Sequence, residues 1–264
     1  LQKTNVTLDR SRRQIELSIN SAKNIQQAIL LNEYKFQDHF EDYFLINRPK
    51  DVVSGDFFWI NKIQDKIILV AADCTGHGVP GAFMTLIGAN LLDNIIQVSN
   101  IQAPAAILDH LHLEVKTALH QQETRNNNGM DAVIIVLEKQ AASSQMKLTF
   151  SGAKNNLLIW SNDELHELKG TRKSIGGIQN EQIQFDSQER LLHPGDMLYL
   201  GSDGLEDQNN KKRKRFGRKR LRNLLIESHS CSLDQQKQKI EATLTEHMEG
   251  TDQRDDILLI GVKI

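Results

Sequence analysis

Two patterns of apolar positions divide the chain. Residues 1 to about 35 contain neither Gly nor Pro, and Leu1, Leu8, Ile15, Ala22 and Ile29 recur every seven residues. That is the a-position spacing of a coiled coil. The matching d positions, Thr4, Ser11, Ser18 and Ile25, are mostly small and polar, so the seam is weak. The pattern predicts an N-terminal helix over residues 1–40. Two uses stay open for it: an amphipathic helix packed on its own domain, or a regulatory linker that pairs with a second copy.

From about Phe44 the period changes. Short apolar runs rich in branched and aromatic residues alternate with Gly-containing turns: Phe57–Ile60, Ile67–Ala72, Ala132–Leu137, Lys147–Phe150, Leu157–Trp160, Met197–Leu200 and Ile257–Ile264. These read as strands. Helices are expected from about Gly81 to Val98, from Pro104 to His120, near Leu221–Ser228 and near Leu233–Met248. Phe83, Met84, Leu86 and Ile87 are expected to pack in the core. Lys147–Phe150, Leu157–Trp160 and Glu164–Leu168 follow one another through short turns, which favours antiparallel pairing. Two helices together between the second and third strands break any regular βαβ alternation, so the fold class is α+β. The division is a linker helix over 1–40 and one domain over 41–264.

Composition narrows the field. The 264 residues are 39% hydrophobic and 25% charged, an ordinary globular balance that excludes a disordered or fibrous chain. Net charge is −2, so global charge does not call for a nucleic acid. The longest uninterrupted apolar runs, such as Ala132–Leu137, fall well short of the ~20 residues of a membrane helix. Two cysteines, Cys74 and Cys231, fit a reducing, cytoplasmic compartment better than a disulfide scaffold. A chain opening on Leu with no signal peptide reads as an excised fragment, and its parent is free to carry a sensor or a membrane anchor.

Candidate chemistry lies in aspartates at the ends of apolar runs. Asp73 closes Ile-Ile-Leu-Val-Ala-Ala; Asp203 closes Met-Leu-Tyr-Leu-Gly-Ser; Asp56 opens Phe-Phe-Trp-Ile; Asp255 and Asp256 open Ile-Leu-Leu-Ile. A carboxylate at the edge of a buried strand is costly unless it is paired or holds a metal. No Lys or Arg lies within four residues of Asp56, Asp73 or Asp203. Hard oxygen donors without a Cys–His cluster suit Mg²⁺ or Mn²⁺. Two such ions about 4 Å apart clamp an in-line phosphoryl displacement. The segment Gly76-His77-Gly78-Val79-Pro80 adds a flexible loop and a helix start suited to phosphate. His77 is either a proton donor to a leaving group or a structural turn residue.

Taken in order, VSGDFFW, DCTGHGVPGAFM, GMDAVIIVLE, LTFSGAKNNLLIW, GDMLYLGSDGLE and QRDDILLIGV resemble the SpoIIE/RsbU-like branch of the metal-dependent (PPM, protein phosphatase 2C-like) serine/threonine phosphatases. The likeness is collinear from about Arg48 to Ile264. It implies an αββα sandwich of two antiparallel sheets flanked by helices, with two Mn²⁺ or Mg²⁺ ions between the sheets that activate water for hydrolysis of phosphoserine or phosphothreonine. By motif, Asp56, Asp73, Asp203 and Asp255 become metal ligands, and Cys74 lends its backbone carbonyl. Asp256 orients its neighbours, and Asp131 is a peripheral ligand. Three departures stand out. Leu258 replaces a common Thr, no arginine matches the phosphate-holding arginine of eukaryotic relatives, and His77 lies two residues later than the eukaryotic histidine. Phosphate then falls to the metals and the Gly76–Gly78 loop. The branch also implies a phosphorylated STAS-type substrate protein and a homodimer through the N-terminal helix.

Lys211 to Arg222 holds nine basic residues in twelve. Three readings compete: a solvated loop leading into a helix, a patch beside the site that steers an acidic phosphoprotein, and a nucleic-acid surface, the least favoured. Two rival functions remain beside the phosphatase: a metal-poor binding module, and a hydrolase of small phosphoesters or nucleotides.

Overall fold

The computed structural model describes residues 2–30, 33–140, 143–179 and 183–264, with side chains from residue 8 onward. In chain order the elements are α1 (Gln2–Leu30), α2 (Tyr34–His39), β1 (Tyr43–Arg48), β2 (Asp56–Ile63), β3 (Lys66–Cys74), α3 (Gly78–Asp93), α4 (Pro104–Ala118), β4 (Gly129–Lys139), β5 (Met146–Ala153), β6 (Leu157–Ser161), β7 (Glu164–Leu168), β8 (Ile175–Gly176), β9 (Gln188–Leu192), β10 (Met197–Gly201), α5 (Gly204–Asp207), α6 (Arg218–Ser228), α7 (Leu233–His247) and β11 (Ile257–Lys263). One sheet has the order β1-β11-β10-β6-β7 and the other β2-β3-β4-β5-β9, with β8 on β4. Every named strand pair is antiparallel.

The two-residue period of each strand sorts its side chains into layers. Phe58, Ile60, Leu69, Ala71, Val133 and Ile135 of one sheet meet Leu45, Leu198, Leu200, Leu258 and Ile260 of the other in a seam between the sheets. The alternate positions, Phe57, Trp59, Val70, Ala72 and Ile134, face α3 and α4. On the far side, Phe44, Ile46, Tyr199 and Leu259 face α6 and α7. The result is the expected αββα sandwich. A buried Leu, Ile or Phe contributes roughly 1.5–3 kcal/mol, so three stacked apolar layers dominate the stability.

Three details differ from the sequence reading. Phe83 is 64% exposed, whereas Met84 is buried and Leu86 and Ile87 are half-buried. One helix turn presents a single face to the sheet, and Phe83 lies off that face. Gly78–Val98, which includes a π-helical turn at Asn94–Val98, is 21 residues long and apolar enough by length and composition to cross a membrane. Gly, Thr and Asn interrupt its apolar runs, which hid that property. Half of the stretch is buried inside the fold, as suits the core helix that packs on β2 and β3. Finally, Phe36 of α2 is fully buried in the inter-sheet seam, stacked on Tyr43 and edge-on to Phe58.

The far end of α1 docks on the sandwich through Gln26, which is buried. Leu8, Ile15 and Ile29 of the heptad are 67%, 58% and 52% exposed. Leu1 and the Thr4 side chain lie outside what is described.

The start of α3 is seated by close backbone approach. A Cβ on Gly81 would strike the Gly76 carbonyl and come within 2.8 Å of the Gly55 Cα. Gly81→Ala is therefore expected to push the loops preceding β2 and α3 apart and to cost about 1–3 kcal/mol. Thermal unfolding of the variant checks this, and a wild-type melting curve would contradict it.

Candidate active site

The strand register builds the site. Asp56 pairs with Asp73 across β2 and β3, and Asp73 pairs with Asp131 across β3 and β4. All three share the parity of Phe58, Ala71 and Val133, so their carboxylates lie on the inter-sheet face at one end of the seam. From the opposite sheet, Asp203 follows β10 and Asp255 precedes β11. Ser202 joins the sheets: its hydroxyl donates to Asp56 Oδ2 at 2.5 Å and accepts from the Leu258 N–H at 3.0 Å.

The neighbouring carboxylates Asp255 and Asp256 have different surroundings. Asp256 is 3% exposed, and its two oxygens accept from the Lys50 and Gly55 backbone N–H groups, each at 2.7 Å. It holds the loop before β2 in place. Asp255 is exposed, and its carboxylate accepts only from the Asp256 N–H among the described residues. Asp131 is already partnered by Ser174, at 2.5 Å, and by the Lys154 ammonium, at 3.4 Å. Cys74 turns its side chain into the helix-side core, so only its carbonyl is available to the site. Gly76 and Gly78 have φ of 88° and 65°, a left-handed conformation that glycine adopts without strain. They turn the chain from Cys74 into α3, and His77 lies between them, outside the carboxylate group.

Crowding shows in the acidities. Burial, and then the fields of Asp256, Asp255 and Asp203, push Asp56 up to about 8, against the pull of the Ser202 hydrogen bond. Burial followed by Asp56, Asp203, Asp131 and Asp255 pushes Asp73 up to about 9. Asp256 is also raised, chiefly by burial. The Cys74 thiol is pushed well up by burial. No lysine or arginine makes an ion pair with Asp56, Asp73, Asp203 or Asp255 among the described residues.

This donor set is hard oxygen throughout, which fits Mg²⁺ or Mn²⁺. Among the described residues no three carboxylates are already gathered as tightly as ligands of one ion. Their mutual fields nevertheless reach across the seam. The fit is to cations shared between facing sheets, with water completing the coordination.

Three contributors carry no sequence signal of their own. Ser202 is one. Ser54 is another, its hydroxyl accepting from the Asp56 N–H at 3.0 Å. The third is Gln26 of α1. Its amide donates to the Ser54 carbonyl at 2.7 Å and to Thr85 Oγ1 at 2.9 Å, and accepts from the Ser54 N–H at 3.1 Å.

The model of the SpoIIE family (stage II sporulation protein E) matches residues 63–264. The chain belongs to the SpoIIE family. It is 25% identical over 274 aligned residues to protein IcfG of Synechocystis sp., spanning 93% of this chain and 41% of that protein. It is 24% identical to phosphoserine phosphatase RsbU of Bacillus subtilis, spanning 87% of this chain and 65% of RsbU. The chain thus spans less than two thirds of either protein. The SiaA-PP2C domain of Pseudomonas aeruginosa superposes with a TM-score of 0.85 at 31% identity, covering 96% of this chain and 98% of that domain. This SpoIIE-family member accordingly has the PP2C fold.

The residues of the basic run Lys211–Arg222 differ in their partners. Arg215 pairs with Asp207, and Arg218 with Glu167 and Glu206. Arg222 donates to the Leu165 carbonyl, and Arg220 lies 4.8 Å over the Phe216 ring. Lys211, Lys212, Arg213, Lys214 and Lys219 face solvent.

A carboxyl group whose folded-state pKa is raised stabilises the fold at acid pH, and that contribution is lost as pH rises from its ordinary value through the raised one. The metal-free protein should therefore lose stability between about pH 4 and pH 8–9. Asp56→Asn removes that charge. At pH 8.5 the metal-free variant is expected to melt roughly 3–8 °C above metal-free wild type, with the difference narrowing toward pH 5, while Mn²⁺ uptake in calorimetry is lost. Equal melting of the two at pH 8.5 would contradict the electrostatic account.

Proposed function

We propose that this domain is a Mn²⁺- or Mg²⁺-dependent phosphatase of phosphoserine or phosphothreonine in proteins. One observation carries the reading: Asp56 and Asp73 face each other across β2 and β3 on the inter-sheet side, with Asp203 and Asp255 converging from the other sheet. The name of RsbU, a phosphoserine phosphatase, supports it. Asp56, Asp73, Asp203, Asp255 and the Cys74 carbonyl would hold two ions. When bound, such ions supply Lewis acidity and lower the pKa of water. The chain's own residues do the positioning. Ser202 holds Asp56 toward the seam, Asp256 fixes the preceding loop through two backbone bonds, and the glycine turn leaves room for a phosphoryl group. We further propose a STAS-type phosphoprotein as substrate and the cytoplasm as the compartment.

The N-terminal helix gives a route for control. Leu8, Ile15 and Ile29 expose apolar surface suited to a second copy. At the other end of α1, Gln26 bonds both the Ser54 loop that carries Asp56 and Thr85 of α3. Pairing of α1 with a second copy would thereby adjust the metal ligands.

Phosphate release from a phosphoserine STAS-type protein and from an aryl phosphate, with Mn²⁺, Mg²⁺ or EDTA, tests the activity. Metal-dependent turnover is expected, reduced at least 100-fold in Asp203→Asn; full activity in that variant would remove the assigned roles. Gln26→Ala breaks three hydrogen bonds worth about 1 kcal/mol each. It is expected to weaken Mn²⁺ binding by roughly tenfold or more, read by calorimetry. Unchanged Mn²⁺ affinity would disconnect the helix from the site.

A further inference from the structure

On the phosphatase reading above, the site must hold a phosphoryl group of about −1.5 to −2 charge. Two divalent ions would only offset the four carboxylates of Asp56, Asp73, Asp203 and Asp255. Asp256 and Asp131 add further negative charge, and the Lys154 cation is already committed to Asp131. An incoming dianion therefore needs another cation.

We propose that Lys50 is that cation, and that Asp51 and His77 position it. Lys50 lies in the loop before β2, where its backbone N–H is bonded to Asp256. Its side chain crosses to the loop between Cys74 and α3, where Nζ meets His77 Nε2 at 2.9 Å. The opposite ring nitrogen, Nδ1, lies 2.7 Å from Asp51 Oδ2. A carboxylate on Nδ1 holds the proton there, which leaves Nε2 as an acceptor for the ammonium. His77 is thus a support that aims Lys50.

Lys50 is suited to an anion in two respects. Its ammonium has three N–H donors, and one goes to His77. Among the described residues it makes no ion pair with a carboxylate, so its charge is not neutralised by direct contact. The adjoining first turn of α3 contains no acidic residue, and its N–H groups favour the same charge. The loop from Lys50 to Gly55 is also tied to the site by Asp256, whose two oxygens span its ends. An ammonium on this loop therefore moves with Asp56. Lys50 takes the place of the phosphate-holding arginine that the sequence lacks, as a point charge in place of a planar fork.

The test is binding of inorganic phosphate to the Mn²⁺-loaded protein by calorimetry, beside inhibition of aryl phosphate hydrolysis by phosphate. Loss of a charge-assisted hydrogen bond corresponds to a 10- to 100-fold change. Lys50→Met is expected to weaken phosphate binding by about that factor, with Mn²⁺ affinity on the same sample unchanged. Lys50→Arg should restore most of the phosphate affinity. His77→Asn should raise KM for the aryl phosphate more than it lowers kcat. Unaltered phosphate affinity in Lys50→Met overturns the assignment. So does a parallel loss of Mn²⁺ affinity, which would make the lysine structural. Wild-type protein that takes up Mn²⁺ but neither binds phosphate nor turns over a phosphoester would overturn this assignment and the phosphatase reading together.

Discussion

Like charges crowded at the seam between two sheets, from the buried Asp56 to the exposed Asp203 and Asp255, set the terms for this molecule. Asp56, Asp73 and Asp131 form a row across one sheet, and the other sheet brings Asp203 and Asp255 toward them. Folding alone gains nothing by this, since burial and mutual repulsion both favour the protonated acids. The apolar layers on either side of the seam tolerate the arrangement because they are extensive and continuous. The strain is concentrated at one end of the sandwich, where the chain has glycines and loops and few packed side chains. A stable body with one electrostatically unfavourable end is what the proposed cation-dependent chemistry would need.

Contacts around the seam divide into those that hold position and those that stay available. Ser202 and Asp256 have their polar atoms occupied within the fold, and each links segments far apart in sequence. Asp203 and Asp255 remain open to solvent. The same division separates Arg215, Arg218 and Arg222, which have partners in the fold, from the solvent-facing basic residues beside them. Charge runs read from sequence merge these two populations, because spacing alone does not say which way a side chain turns.

Much of the architecture was legible because strand parity is written directly in the sequence. Long runs such as Ile67–Ala72 and Ala132–Leu137 carry enough branched residues to mark central strands, and aspartates at their ends mark the site. The short pieces were not legible. β1 offers only three buried residues in a row, too short a run to mark a strand, and β9 is an edge strand with three exposed positions in five. Ser202, Ser54 and Gln26 were invisible for another reason: a polar residue in a turn or on a helix looks the same whether it meets water or an active-site loop. The Lys50–His77–Asp51 set depends on two loops meeting, and sequence spacing does not record that.

The direction of the Cys74 side chain bears on which ions the proposed site would admit. One residue after Asp73, the strand turns the sulfur to the helix side, where burial keeps it protonated. A thiolate among the carboxylates would have drawn zinc, cadmium or copper into the seam, since soft and borderline ions prefer sulfur. The two-residue pleat instead keeps the Cys74 sulfur behind the sheet. On the proposed reading, that placement would disfavour thiophilic ions without a dedicated selectivity residue, and it would keep the chemistry independent of the thiol on which cysteine-dependent phosphatases rely.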